Sequence, residues 1–237
     1  MSMFDTATAT CPKCGAEAEL EVVLSVNADR RPDLRAGILD GSFQAVPCAT
    51  CGARVRLEPE FVYFDLGRRQ WIVVHPADAV DGWAEAERHA RAIFDESFGA
   101  GAPAQVRDLT EGVAPRVVFG WPALQEKLLC ADLALDDTVL ECLKLAILRN
   151  GAAGLTISGA HELRLAGGDA VTLSLDLLHG PSEAPEKRLD LPRQAYDDIV
   201  DDPAPWQALR TATGRGLFVD IQRMLRGAGD EAQAAPT

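Results

Sequence analysis

Four of the six cysteines stand in two closely spaced pairs that have the spacing of metal ligands. The pairs are Cys11/Cys14 and Cys48/Cys51, and a glycine follows each pair at once. Thiolates are preferred ligands of Zn²⁺, and a two-residue spacer lets both sulfurs reach one ion. The glycine permits a positive φ, which leaves backbone amides free to donate to the sulfurs. The pattern predicts one Zn²⁺ per chain, bound by four thiolates.

A zinc ion with four thiolate ligands has no open coordination position, so the predicted metal is structural and does not activate water. Two other interpretations of the cysteine pairs stay open at this point. The pairs could be reduced core cysteines, or they could form a redox couple, although a redox pair usually stands alone at a helix N-terminus. The remaining cysteines, Cys130 and Cys142, lie among leucines in helical patterns and are predicted to be small buried hydrophobes.

Other chemistry-bearing residues show weaker patterns. The histidines have neither metal nor triad spacing; they are His75, His89, His161 and His179. Four aspartates at 197, 198, 201 and 202 could bind a cation, but such a cluster is more often a solvated helix face. Three acids close or interrupt apolar runs and could build a nuclease-like carboxylate centre, although no lysine accompanies them in the sequence; they are Asp65, Asp176 and Asp220.

The charge of the chain disfavours a broad nucleic-acid or membrane surface. The formal net charge is −13, whereas both partners require a positive surface. Residues 11–70 are nearly neutral and carry arginines that could form a local patch for nucleic acid; these are Arg30, Arg31, Arg35, Arg54, Arg56, Arg68 and Arg69. The first residues lack a basic region and an apolar stretch, and no apolar run is long enough to span a bilayer, so a cytoplasmic protein without membrane contact is expected.

The elements that must position the cysteines can be predicted from the periodicity of apolar residues. Strands are predicted over residues 17–26, 61–64 and 70–75, and residues 1–10 are predicted to be loose. The two cysteine pairs with their glycines, residues 11–15 and 48–52, are here called the knuckles. The 33 residues between Cys14 and Cys48 exceed the usual spacing of about 15–20 between two such pairs. An inserted helix accounts for the excess; it is predicted to begin at Pro32, with Asp29 or Asn27 as its cap, and to end at Gly41.

Helices are predicted in the middle of the chain and alternating strands after it. The helices run from Asp78 to about Phe98, from Pro122 to about Ala134, and from Asp136 or Asp137 to residue 149, and a short strand is predicted at 116–120. Beyond them, strands are predicted over 155–158, 162–165 and 171–178, with a hairpin turn at Gly167-Gly168-Asp169 and helices over 191–200 and 217–225.

Four segments of the first 150 residues together resemble a known domain family. They are Cys11-Pro12-Lys13-Cys14-Gly15, residues 26–41, the second knuckle and Val62-Tyr63-Phe64-Asp65. On these residues the chain resembles the CpXC domain of bacteria and archaea over about residues 11–150. In the second knuckle, Ala49 stands where the family usually has a proline after the first cysteine. Proline is not a metal ligand, so this departure leaves the predicted ligand set unchanged. The resemblance implies zinc binding and the fold, and it implies no activity.

Together these observations predict an α+β fold: a zinc-ribbon-like four-cysteine site with an inserted helix, a helical middle and a C-terminal strand-hairpin-plus-helix region. The predicted domains are a CpXC-like zinc-binding domain at 11–150, a C-terminal α+β region at 151–227 and a flexible tail at 228–237. The predicted function is a zinc-stabilised, non-catalytic binding module whose partner is a protein. The alternatives are nucleic-acid binding through the ribbon and an unrecognised hydrolase that uses acidic residues of the C-terminal region.

Overall fold

The computed structural model describes residues 3–58, 60–149, 161–179 and 184–226, and within these ranges it contains eight α-helices and three β-sheets. The mixed α+β class is therefore confirmed. By their internal contacts the residues form two compact units: unit 1 comprises Met1–Ala77 and Phe94–Leu124, and unit 2 comprises Asp78–Ile93 and Gln125–Thr237. The predicted boundary at 150/151 lies within unit 2, and a division into folding domains at that point stays a prediction.

Unit 1 contains a five-stranded sheet of order β1-β2-β5-β6-β7 and a two-stranded sheet of β3 and β4. The strands are β1 (Met3–Thr10), β2 (Glu17–Asn27), β3 (Ala45–Pro47), β4 (Arg54–Arg56), β5 (Phe61–Asp65), β6 (Gln70–His75) and β7 (Ala114–Phe119). Strand β2 pairs parallel with β5, and β6 pairs parallel with β7; the other pairs are antiparallel. The unit also contains helix α1 (Pro32–Leu39) and helix α3 (Ala104–Leu109).

The core of unit 1 is rich in aromatic side chains. Phe43, Phe61 and Trp121 contact one another, with ring centroids 5.5–5.8 Å apart. The indole Nε1 of Trp121 donates to the Leu57 carbonyl, so its polar atom is satisfied within the core. This cluster lies where β5 begins, and through the Leu57 carbonyl it also contacts the residue that follows β4.

Two predictions for unit 1 are wrong in detail. Residues 3–10 are not loose, because every one of them pairs with β2 between Glu17 and Ser25. Residues 6–10 alternate threonine and alanine, which gives no strong apolar pattern; pairing with β2 orders them, and Ala9 packs beside the cysteines. Asp29 does not cap α1 either; its carboxylate accepts from the amides of Leu66 and Gly67, in the turn between β5 and β6. Helix α1 begins at Pro32 and ends before Gly41, which has a φ of +79° as a C-terminal glycine requires.

Unit 2 combines helices with an antiparallel sheet of order β10-β9-β8. Its strands are β8 (His161–Gly168), β9 (Thr172–His179) and β10 (Lys187–Pro192). Helix α2 (Trp83–Phe98) belongs to unit 2 as far as Ile93, and helix α4 (Trp121–Asp132) belongs to it from Gln125 onward. The remaining helices are α5 (Asp137–Arg149), α6 (Gln194–Asp201), α7 (Gln207–Gly214) and α8 (Gln222–Leu225).

A leucine-rich core joins the sheet of unit 2 to α5 and α6. Leu140, Leu173 and Leu175 are completely buried, and Tyr196 from α6 packs in the same cluster. The Tyr196 hydroxyl accepts from the amide of Asp136. The carboxylate of Asp136 in turn accepts from the Thr138 amide, which confirms Asp136 as the cap of α5.

Several element boundaries in unit 2 differ from those predicted. The α-helix predicted from Asp78 begins at Trp83, after a 3₁₀ helix over Ala77–Gly82. Residues 187–192 form β10, because Leu189 and Leu191 pair with Leu175 and Leu173 of β9 and alternate as a strand requires. The β8–β9 turn lies one to two residues later than predicted, since Gly167 and Gly168 still pair with β9.

The helix predicted over 217–225 is also wrong, because only Gln222–Leu225 is α-helical. Residues 217–221 are buried without helical hydrogen bonds. Carboxylates replace those bonds: the Phe218 amide donates to Glu87, and the Ile221 amide donates to Glu141. The strand predicted at 155–158 and the tail at 228–237 lie outside the described residues.

No helix within the described ranges is both long enough and apolar enough to cross a lipid bilayer.

Candidate metal centre

Each cysteine pair lies in the turn of an antiparallel hairpin of unit 1. Cys11 and Cys14 connect β1 to β2, and Cys48 and Cys51 connect β3 to β4. The strands on either side of each turn are in register, Thr10 opposite Glu17 in the first hairpin and Pro47 opposite Arg54 in the second. Strand pairing therefore presents both turns as rigid loops, with two sulfurs on each.

The two turns have the same backbone hydrogen bonds. In the first, the Gly15 amide donates to the Cys11 carbonyl at 2.9 Å, and the Cys11 amide donates to the Ala16 carbonyl at 2.8 Å. In the second, Gly52 donates to Cys48 at 2.8 Å and Cys48 donates to Ala53 at 2.7 Å.

The glycines close both turns in the left-handed region. Their φ angles are +73° at Gly15 and +69° at Gly52, which an L side chain adopts only with strain. This repetition explains why a glycine follows each cysteine pair.

The four sulfurs form one compact group. Their Sγ atoms all lie within 4.8 Å of one another. Across the two turns, Cys11 Sγ lies 3.7 Å from Cys51 Sγ, and Cys14 Sγ lies 3.6 Å from Cys48 Sγ. A regular tetrahedron around Zn²⁺ with Zn–S bonds of about 2.3 Å has S–S edges of about 3.8 Å. The separations across the two hairpins thus fit a metal with four thiolate ligands.

The surroundings of the sulfurs are apolar. Cys11 and Cys48 are buried, Cys51 is half-buried and Cys14 is exposed. Leu20 and Val55 complete the buried part of this small cluster, and partly buried residues pack on it, namely Ala9, Ala16, Ala18, Val46, Ala53 and Leu57. The apolar cluster that joins the two hairpins is therefore small.

Backbone amides favour the thiolate form at the first cysteine of each turn. The amides of Cys51 and Thr50 donate to the Cys48 sulfur and lower its pKa to about 6. The amides of Cys14 and Lys13 lower the pKa of Cys11 in the same way. A metal binds the thiolate, so these amides prepare both sulfurs for coordination.

The other two cysteines lie apart from this group, in the helices of unit 2. Cys130 on α4 and Cys142 on α5 are buried in its leucine-rich core. Burial raises the pKa of Cys130 well above its ordinary value and raises that of Cys142 to about 11, so both stay protonated thiols at neutral pH. Their prediction as small buried hydrophobes is confirmed.

The remaining sequence candidates do not gather into a second centre in the part of the chain that the structure describes. Among those residues, the cysteine group is the cluster of three or more potential ligands that forms. His75 Nδ1 lies 3.2 Å from Glu60, and the His75 ring stacks on Phe119. His89 and His179 are exposed, and the side chain of His161 is not described. Each of the three acids that interrupt apolar runs pairs with arginine: Asp65 with Arg35 and Arg68, Asp176 with Arg188, and Asp220 with Arg164.

Unit 2 contains a group of charges that sequence analysis missed, here called the buried ionic network: Glu126, Glu141, Lys144, Arg164 and Asp220. Lys144 Nζ lies 2.6 Å from Glu126 Oε1 and 2.8 Å from Glu141 Oε1. Arg164 Nη1 lies 2.5 Å from Asp220 Oδ2 and 3.2 Å from Glu126 Oε1. The Glu141/Lys144 spacing of three residues inside a leucine-rich helix was the available signal.

The carboxylates of this network also accept from backbone amides. Glu126 accepts from Leu165, Glu141 from Ile221 and Asp220 from Gln222. Burial raises the pKa of Glu141 to about 7, despite the nearby Lys144. Burial also opposes ionisation of Asp220, but Arg164 and Lys144 outweigh it and lower that pKa to about 2. The network therefore fastens β8 and the irregular segment before α8 to the helices of unit 2.

The fold and the site define a class: an α+β protein with a four-cysteine cluster that could hold a metal ion. The model of the CpXC family, described as "CpXC protein", matches residues 9–144, which is more than half of the chain. The chain belongs to the CpXC family, as the resemblance indicated. No curated protein and no solved structure matches the chain.

Proposed function

We propose that Cys11, Cys14, Cys48 and Cys51 bind one Zn²⁺ and that the two hairpins around it form a zinc ribbon. The observation that supports this proposal is the grouping of four sulfurs within 4.8 Å of one another on two turns with matching hydrogen bonds. Soft thiolate ligands in tetrahedral geometry suit zinc. All four positions around the ion are filled by protein, so the metal stabilises structure and takes no part in a reaction.

Metal analysis of protein purified under reducing conditions without chelator tests this proposal. We expect about one Zn²⁺ per chain, and a loss of zinc in Cys48→Ser because three ligands no longer close the shell. Cys142→Ser is the matched control, because it removes a buried thiol outside the cluster and should keep its zinc. Wild-type protein without zinc, or equal zinc content in the two variants, would contradict the assignment.

We further propose that the chain is a non-catalytic binding module and that its partner is a protein. The arginines near the cysteines support a protein over a nucleic acid, since most already have partners within unit 1. Arg31 pairs with Asp33, Arg35 and Arg68 pair with Asp65, Arg54 donates to the Gly41 carbonyl, and Arg56 lies over the Trp121 ring. Phosphate binding would require these side chains to leave their partners.

Capture from extracts of the native host distinguishes the two partner classes. The tagged full chain is used as bait, with and without DNase and RNase. We expect a protein partner to be retained after nuclease treatment. Recovery that disappears with nuclease would favour nucleic acid, and recovery of neither class would contradict the binding-module proposal.

A further inference from the structure

Unit 2 has an open apolar groove between α5 and α6. Its volume is about 390 Å³. Six apolar or aromatic side chains contribute most of its lining, and they come from α5, β10, α6 and the 3₁₀ turn after it: Leu143, Ala146, Ile147, Leu191, Ile199 and Trp206. Surface apolar concavities of this kind are where proteins accept apolar side chains of a ligand. The groove lies in unit 2, whereas the cysteine cluster lies in unit 1.

The rim of the groove is acidic. Asp198 and Asp202, four residues apart on and just after α6, line it and are exposed. Asp198 accepts a hydrogen bond from Gln194. Every lysine and arginine of the chain lies in the described ranges, and none of them forms an ion pair with Asp198 or Asp202. Two of the four clustered aspartates, Asp198 and Asp202, thus lie beside apolar surface without a lysine or arginine as ion-pair partner.

We propose that this groove binds a short amphipathic helical segment of a partner protein, with aliphatic side chains in the groove and Lys or Arg side chains on Asp198 and Asp202. This inference rests on the proposed function and names its surface. An amphipathic helix presents apolar anchors at spacings of three and four residues, which match a groove between two helices. Carboxylates four residues apart, on α6 and just after it, suit cations one helical turn apart on the partner. The apolar contact supplies affinity, and the charges set specificity and the rate of association.

Charge argues against a second copy of this chain as the occupant. Two copies joined through this face would bring the aspartates of both α6 helices close together, and like charges in an interface cost free energy. A net charge of −13 adds a general repulsion between copies. The same negative charge attracts a positively charged partner.

The test uses the full-length, zinc-loaded chain and two synthetic peptides of about 14 residues. One is an amphipathic Leu/Lys helix, and the other has Glu at every Lys position. Fluorescence anisotropy measures both affinities at about 150 mM salt, where long-range attraction is screened. We expect the Leu/Lys peptide to bind wild type and the Leu/Glu peptide to bind at least about tenfold more weakly. Equal affinity for the two peptides would overturn the proposal.

Matched variants locate the binding. Asp202→Lys should weaken the Leu/Lys peptide by about tenfold or more, whereas Asp201→Lys makes the same charge change off the groove and should have a much smaller effect. Ala146→Arg fills the groove from its half-buried lining and should abolish binding. Circular dichroism confirms that each variant is folded. Equal effects of Asp202→Lys and Asp201→Lys, or unchanged binding by Ala146→Arg, would overturn the proposal.

Two further outcomes separate this inference from the proposed function. If Ala146→Arg captures the same host protein as wild type, the binding module stands and the groove is wrong as its surface. If sedimentation shows a dimer that Ala146→Arg dissociates, the groove is occupied by a second copy and the proposal is overturned.

Discussion

The cysteine cluster of unit 1 and the buried ionic network of unit 2 are both dense groups of ionisable side chains, but they balance their charge differently. In the network, Lys144 and Arg164 face the carboxylates of Glu126, Glu141 and Asp220 within about one hydrogen-bond length. In the cluster, two sulfur pairs approach to 3.7 Å and 3.6 Å across the hairpins, and all four members are cysteines. The carboxylates of the network are paired within the chain, whereas the thiolates of the cluster would be balanced by the proposed Zn²⁺.

Because of this difference, we expect the two regions to depend on different interactions for their stability. Unit 2 has a leucine-rich core around α5 and its sheet, and its charges are paired. The cysteine hairpins have only Leu20 and Val55 as buried apolar neighbours of Cys11 and Cys48. Structural zinc sites supply about 10–16 kcal/mol in small zinc peptides, which far exceeds what so few side chains contribute. Removing a charge should therefore harm unit 2, and removing the metal should harm the hairpins.

Among substitutions that leave the four cysteines in place, the largest effect is expected from Lys144→Met. Met fills similar volume but leaves Glu126 and Glu141 buried without their shared lysine, and breaking a buried pair costs about 3–5 kcal/mol. Urea denaturation measures the free energy of unfolding, and zinc content should stay at the wild-type level. Lys187→Met is the control, because Lys187 is exposed on β10 and its loss should cost little. A loss below about 1 kcal/mol in Lys144→Met would show that the network is not stabilising.

A smaller effect is expected when the buried thiols of unit 2 are changed. Cys130→Ser and Cys142→Ser each place a hydroxyl among leucines, which should lower the free energy of unfolding by about 1–3 kcal/mol. Zinc content should be unchanged, since neither sulfur belongs to the four-cysteine group. Denaturation and metal analysis on the same samples check both statements. Zinc lost from either variant would mean that the ligand set is wrong.

The smallest effect is expected at the knuckle glycine Gly52. No atom lies within 4 Å of a Cβ built there, so Gly52→Ala adds only the strain of a positive φ, about 1–2 kcal/mol. Zinc affinity, measured by chelator competition, should fall by about 5- to 30-fold. Gly52→Asn should lose less, because Asn tolerates this conformation better. Gly101→Ala, which also meets no atom and lies outside the left-handed region, should leave affinity unchanged.

The site was predictable from sequence to the extent that its signals were local. A cysteine pair followed by glycine specifies one turn within five residues, and the structure brings the two turns together as expected. Strand β2 likewise follows from alternating apolar residues, and β5 and β6 follow from short apolar runs rich in aromatic and β-branched residues. Pairing of the turns was inferred because neither alone supplies four ligands.

The features that were missed depend on residues far apart in the chain. Arg164 and Asp220 meet across 56 positions, and nothing near either residue in sequence indicates the other. The irregular backbone at 217–221 has an apolar pattern that suits a helix, but carboxylates on α2 and α5 take its amides. Strand β1 was missed because its order comes from pairing with β2 and not from an apolar pattern of its own.

Hydrogen exchange with and without chelator tests most directly whether a metal holds the cysteine hairpins. On chelation, amides that are hydrogen-bonded in the knuckles should exchange at least about 100-fold faster, including those of Cys11, Gly15, Cys48 and Gly52. Amides of β9 in unit 2 should be unaffected. The Cys48→Ser variant should show the faster exchange at the start and no further change with chelator. Equal protection of the knuckle amides with and without chelator would contradict a structural metal.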